Sequence, residues 1–175
     1  MIARRFIEML RPFGAIVRVF DAYLNDPPPD CQVVGSLKEL FAASEAVVIH
    51  AALTPETHNT VTAQLLALLP DGGVVVNTAR GGIVDQPALF KELESGRLRA
   101  GLDVLEPDRL EPAHPARKWE NLILTCHTIS HGPAPNATRP RLARCEQYCL
   151  ENLRRFVAGE PLQFIMDSVR YRRST

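Results

Sequence analysis

Apolar residues recur along the chain in two rhythms, one helical and one extended. From Ile2 to Leu10 they fall at Ile2, Phe6, Met9 and Leu10, which predicts a helix carrying these four on one face. Pro12 and Gly14 end it. Short β-branched runs then predict strands at Ala15–Phe20 (AIVRVF), Cys31–Val34, Ala46–His50 (AVVIH), Val74–Asn77 (VVVN), Arg99–Val104 and Leu122–Thr125 (LILT). Asp26–Asp30 (DPPPD) must be a loop, because consecutive prolines suit neither ladder nor helix. Ser36 caps a helix over Leu37–Ala43, with Glu39 at the capping-box position. Thr54–Asn59 (TPETHN) reads as a polar turn. Thr62–Leu69 reads as a short helix closed by Pro70-Asp71-Gly72-Gly73. Thr78–Gly82 is a loop, and Asp85 caps a helix through Glu94 that Gly96 stops. Ala137–Ala158 is one long amphipathic helix, stopped by Gly159 and Pro161.

Strands thus alternate with helices, and the strands are continuously apolar. That is the signature of an α/β fold with a doubly wound parallel sheet covered on both faces. In such sheets ligands bind beyond the carboxyl ends of the strands. The residues there are Asp21, His50 to Leu53, Thr78 to Arg80, Asp103 to Glu106, and His127. Every strand but the short Cys31 one is followed by polar or chargeable groups.

Composition narrows the function classes. The chain has 175 residues, enough for one domain with a core, and is 46% apolar and 23% charged. Twenty basic residues balance twenty acidic ones, which gives no support to nucleic-acid or anionic-membrane binding. No apolar run reaches the roughly 20 residues of a membrane span, and the charged first residues lack a signal-peptide core. A cytoplasmic setting is expected. Cys31, Cys126, Cys145 and Cys149 follow no secretory spacing. Cys145 and Cys149 share a helix face and read as small buried side chains. A zinc site joining them to His127 and His131 is the weaker reading, so no metal is expected.

Several strand-end residues carry candidate chemistry. In a dinucleotide fold, an acidic residue at Asp21 accepts hydrogen bonds from the adenosine ribose and repels a 2′-phosphate, favouring NAD over NADP. Its bland reading is a solvated turn residue. Arg80 lies in a glycine-flanked loop, where a planar guanidinium suits a carboxylate and glycines let a ligand approach. Glu106 and His127 each follow a late strand; a carboxylate beside an imidazole stabilises the imidazolium, and such a pair could exchange a proton with a substrate hydroxyl. Asp103 could bond a nicotinamide carboxamide, with a cap as its competing role. His58 and His114 sit in polar loops and are set aside. His131 reads as a helix-entry or surface residue.

The stretches HAALTPETHNTV (His50–Val61), LLPDGGVVVNTARGGIVD (Leu68–Asp85), LESGRLRAGLDVLEPD (Leu93–Asp108) and NLILTCH (Asn121–His127) together resemble the D-isomer-specific 2-hydroxyacid dehydrogenases. The resemblance runs from about residue 1 to 162. It implies a Rossmann-like NAD-binding domain over 1–162 and a tail, 163–175, that returns to a substrate domain. It implies that His127 handles the substrate hydroxyl proton, that Glu106 orients it, and that Arg80 grips the substrate carboxylate. Asp21 and Asp103 would bind the ribose and the carboxamide, while His50, Thr54, Thr78 and Ala79 would line the cofactor. Two departures stand out. The family usually has Pro where this chain has Cys126, and small glycines where Thr128, Ile129 and Ser130 stand, bulk that would crowd the nicotinamide or reshape the pocket. Spacing back from Gly14 and Asp21 puts Ala3 at the third small position of GxGxxG/A, so the first strand and the glycine-rich loop are expected to be absent.

The expected activity is hydride transfer between NAD and a D-2-hydroxy acid or 2-oxo acid, by a homodimer. A non-catalytic dinucleotide-binding or dimerisation module is the alternative, motivated by the sheet edges a missing strand would leave unpaired.

Overall fold

A computed structural model describes residues 2–125, 127, 144–168 and 171. The chain divides into two compact units, Met1–His127 and Thr128–Thr175.

In the first unit, helix α1 (Ile2–Leu10) runs into a 3-10 turn over Arg11–Phe13, which Gly14 closes at φ 66°. The predicted helix is there, but its predicted face is not. Ile7 is buried, with Ala3, Phe6 and Leu10 partly covered, whereas Ile2 and Met9 are 76% and 63% exposed. Apolar residues occupy both sides of this helix, and the packed set is the one that keeps the i, i+3, i+4, i+7 spacing.

Strands β1 (Arg18–Val19) and β2 (Gln32–Val33) form a two-stranded parallel ladder. Strands β3 (Ala46–Ile49), β4 (Val74–Asn77), β5 (Arg99–Leu102) and β6 (Leu122–Leu124) form a four-stranded parallel sheet in that order. The α/β reading with a doubly wound parallel sheet therefore holds, but the sheet is in two pieces. Among the described residues, β1 pairs with β2 alone and β3 with β4 alone. α1 touches both pieces. Arg4 pairs with Asp26 (3.2 Å) and Arg11 with Asp30 (3.4 Å) in the loop between β1 and β2, and the Phe6 ring lies 5.7 Å from that of His50 beyond β3. The Ala15–Phe20 run yields a ladder of only two residues because its partner β2 is itself two residues long: extended backbone becomes strand where a partner accepts its hydrogen bonds.

Helices α2 (Leu37–Ala42), α3 (Ala63–Leu66) and α4 (Gln86–Glu94) connect the strands. α2 starts as expected, with Ser36 Oγ accepting from Glu39 N–H; the Glu39 carboxylate reaches back to Gly35 N–H at 2.9 Å instead of to Ser36. Asp85 caps α4 through Ala88 N–H. One face of the larger sheet (Val47, Ile49, Val75, Ala100 and Leu102) joins Phe41, Leu66 and Leu89 in the core. The opposite row, Val48, Val76 and Gly101, is half-covered, and Ile123 is exposed.

Arg97 locks the lower end of this layer. Its guanidinium donates to Leu66 O and Leu69 O at 2.8 Å each and to Glu92 Oε2 at 2.6 Å. It therefore adds a charged donor to two carbonyls at and just beyond the end of α3, of which Leu66 O also accepts from Leu69 N–H.

In the second unit, α5 (Arg144–Ala158) ends at Gly159, φ 71°. Asn152 exchanges two 2.9 Å hydrogen bonds with the Gln163 backbone, and Tyr148 packs edge-on to Phe164. The predicted start of this helix, from 137 to 143, lies outside the described residues.

Replacing Arg97 with Ala removes a charged donor from both carbonyls and the partner of the partly buried Glu92 carboxylate. The expected cost is about 2–3 kcal/mol, read as a lower urea midpoint at unchanged m-value.

Candidate functional site

The parallel register builds a row of side chains at one end of the larger sheet. Ile49 pairs with Asn77, Asn77 with Leu102, and Leu102 with Leu124. The next residue on each strand, His50, Thr78, Asp103 and Thr125, therefore stands at the same level. Three of these four are sequence candidates. Two of them are linked to their neighbours: Thr125 Oγ1 donates to Asp103 Oδ1 at 2.6 Å, and Asp103 N–H donates to Asn77 O at 3.0 Å. Asp103 is 8% exposed, a nearly buried carboxylate with a hydroxyl partner.

Asn77, 1% exposed, shapes the loop that follows β4. Its Nδ2 donates to Arg80 O at 2.8 Å and its Oδ1 accepts from Ala79 N–H at 3.0 Å. A side chain does here what a backbone partner would do in a turn. The loop then presses against the segment after β5. A Cβ on Gly81 would overlap the Leu105 carbonyl and stand 2.8 Å from Glu106 N. A Cβ on Gly82 would overlap Glu106 Oε2 and lie 3.3 Å from His58 Cδ2. Glycine is required at 81, where the blocking atoms are backbone, whereas at 82 they are the movable end of a side chain. Thr78 and Arg80 are exposed, and Arg80 Nη1 donates to Ala79 O at 2.7 Å.

Glu106 N–H donates to Gln86 Oε1 at 2.9 Å, and its carboxylate lies 4.0 Å from His58 Nε2. The structure thus joins Glu106 to a histidine passed over in the sequence, and does not bring Glu106 and His127 into an ion pair. His127 is exposed, has φ 61°, and donates its N–H to Asp103 O at 2.6 Å. Cys126, Thr128, Ile129, Ser130 and His131 lie outside the described residues, as does the Cys145 side chain. Among the described residues no cluster of His, Cys, Asp and Glu could hold a metal ion.

Thr54 opens the turn after β3. Its N–H donates to Thr57 Oγ1 at 2.7 Å, and Thr57 Oγ1 donates to Ala52 O at 2.6 Å. Asp21 follows β1 in an exposed turn, with Oδ1 accepting from Tyr23 N–H at 2.9 Å. Partial burial lowers the imidazole pKa of His50 below its ordinary value.

The family model for the D-isomer specific 2-hydroxyacid dehydrogenase NAD binding domain matches residues 1–128. The chain belongs to this family. It is 38% identical over 125 residues to a glyoxylate reductase of Korarchaeum cryptofilum, covering 71% of this chain and 36% of that protein. It is 31% identical over 161 residues to a hydroxypyruvate reductase of Blautia hydrogenotrophica, covering 90% and 48%. A D-isomer specific 2-hydroxyacid dehydrogenase from Xanthobacter autotrophicus, solved with NADPH and MES, superposes with a TM-score of 0.72 at 32% identity, over 94% of this chain and 65% of that one. The family enzyme of Lactobacillus delbrueckii, solved with NAD, gives 0.66 at 25% identity, over 74% and 44%.

This is therefore an NAD-binding domain of that family, spanning 36% to 65% of the relatives named. An exposed carboxylate, Asp21, stands two residues after β1, and a nearly buried one, Asp103, in the row beyond β5.

Gly81→Ala drives a methyl into immovable backbone and is expected to destabilise the domain by roughly 2 kcal/mol or more. Gly82→Ala meets a side-chain end that can swing away and should cost less, which paired urea melts would resolve. A second expectation concerns pH. Because the fold lowers the His50 pKa below its ordinary value, the unfolded chain takes up the proton more readily as pH falls below about 6.5. That contribution is fully present above this value and is lost on acidification. His50→Gln should shrink the difference between urea midpoints measured at about pH 7.5 and about pH 5.5; an unchanged difference would count against it.

Proposed function

We propose that this domain is the cofactor-binding part of an oxidoreductase that interconverts a D-2-hydroxy acid and a 2-oxo acid with NAD. The observation that carries the reading is the row His50, Thr78, Asp103 and Thr125, flanked by the Arg80 loop, Glu106 and His127, at one end of a parallel sheet. Open α/β sheets bind ligands at this end. When bound, the nicotinamide gives or takes the hydride. In this reading Arg80 binds the substrate carboxylate with its fork of N–H donors. The His127 imidazole gives its proton to the carbonyl oxygen of a 2-oxo acid, or takes one from the hydroxyl of a 2-hydroxy acid. Glu106 steadies the positive charge on that ring. Asp103 accepts from the carboxamide, Asp21 from the ribose hydroxyls, and His50, Thr54, Thr78 and Ala79 wall the cofactor.

One neighbour was solved with NADPH and another with NAD, so the fold alone does not choose between them. The exposed Asp21 carboxylate supports NAD, because a 2′-phosphate would meet like charge. We further propose a homodimer in the cytoplasm. The free thiols Cys31 and Cys149 support a reducing compartment, and among the described residues no helix is long and apolar enough to cross a membrane. Among the described residues one edge each of β1 and β3 has no ladder partner, which favours one second reading, a dinucleotide-binding or dimerisation module without turnover.

Calorimetric titration with NADH and NADPH tests the cofactor assignment. NADH is expected to bind about tenfold more tightly, a difference near 1.4 kcal/mol, and Asp21→Ser should close most of that gap. Equal or tighter NADPH binding by the unmodified chain would overturn it.

A further inference from the structure

His114 has no part in the site above, yet its ring caps a turn. It stands just before a 3-10 turn over Pro115–Lys118, and its Nδ1 accepts from Ala116 N–H at 3.1 Å. Side-chain oxygens of Ser, Thr, Asn and Asp usually fill such a place, and they go on accepting across the neutral range. An imidazole nitrogen accepts only while it carries no proton. In an imidazolium both nitrogens donate, so Nδ1–H would then face Ala116 N–H, donor against donor. The bond that starts the turn is therefore conditional on the charge of the ring.

The turn holds an aromatic cluster in place. Ala116 is 1% exposed and anchors the turn in the core. Trp119 N–H donates to Ala116 O at 3.3 Å, and the indole lies edge-on to Phe90 of α4 with ring centres 5.6 Å apart. The His114 ring meets the same Phe90 at 5.7 Å. The three rings line a cavity of about 320 Å³ together with Lys91 and Glu94 of α4. These two are the charged groups that α4 brings to His114. Its own turn carries Arg117 and Lys118, the preceding loop carries Glu111, and β6, which also packs on the turn, carries none. Beyond Trp119 the chain is secured independently. Asn121 Nδ2 donates to Leu93 O and Leu98 O at 2.8 Å each, and Asn121 O accepts from Ala100 N–H at 2.9 Å. We propose that His114 is a proton-operated latch: neutral, it caps the Pro115–Lys118 turn and keeps Trp119 against Phe90; protonated, it releases the turn and the indole, while β6 stays in the sheet.

Trp119 is the chain's one tryptophan, so its fluorescence reads the turn directly. The whole chain is titrated from about pH 8 to about pH 5, a span that brackets ordinary imidazole titration. Three forms are compared: unmodified, His114→Asn, which keeps a capping acceptor that does not titrate, and His114→Leu, which keeps none. On acidification the unmodified chain should shift its emission to longer wavelength with no change in far-UV circular dichroism. His114→Asn should hold the shorter wavelength throughout, and His114→Leu should show the longer one even at pH 8. The second readout is hydrogen-exchange protection of the Ala116 and Trp119 amides by NMR. It should fall about fivefold in the unmodified chain between the two ends of the titration and stay level in His114→Asn. Emission that ignores pH in the unmodified chain overturns the latch, and so does a His114→Asn form that titrates like it. Emission that shifts while amide protection stays level also overturns it, because the imidazolium would then act on the indole without releasing the turn. A far-UV signal lost together with the shift overturns it too, since the whole domain would then be unfolding.

Discussion

The arrangement at the sheet's ligand-binding end depends on how closely two backbones meet. Gly81 and Gly82 lie against Leu105 and Glu106 with no space for a Cβ. That contact joins the loop after β4 to the segment after β5, and it fixes where Arg80 leaves the fold and where the Glu106 carboxylate rests. Asn77 makes the approach possible. Its buried amide turns the chain directly after the strand and holds both Ala79 and Arg80. A larger residue at 81, or a side chain at 77 unable to both donate and accept, would separate the two loops and scatter the groups they carry.

Most of this was legible in the residues. Element order, the parallel sheet, the caps at Ser36 and Asp85, and the stops at Gly14, Gly96 and Gly159 follow from local rules, since each depends on residues within a few positions of one another. The failures have tertiary causes. The face of α1 was misread because Ile2 and Met9 extend the apolar pattern to a side of the helix that nothing covers well. The first strand came out two residues long because a ladder cannot outrun its partner, and β2 is itself two residues long. His58 was passed over because a histidine in a polar turn reads as solvent-facing. Its relation to Glu106 spans 48 residues of sequence and exists only through the two loops tied by Asn59 and Val61.

The division of the sheet gives α1 an unusual burden. Ladder hydrogen bonds tie β3 through β6 into one block and β1 to β2 into another. What connects the blocks near the chain's start is side-chain chemistry: two exposed arginine–aspartate pairs and the packing of Phe6 on His50. Exposed ion pairs contribute little individually. The carboxylate of Asp21 therefore sits on the less firmly held block, and Asp103 on the firmer one.

The row of His50, Thr78, Asp103 and Thr125 has a consequence of a different kind. Neighbouring strands stand about 4.8 Å apart, a spacing set by backbone hydrogen bonds and indifferent to side chains. The row is therefore a ruler of three equal divisions, roughly 14 Å from end to end. Any residue placed on it inherits a known distance to the others. Substitution along this edge can change which groups are presented without moving where they stand.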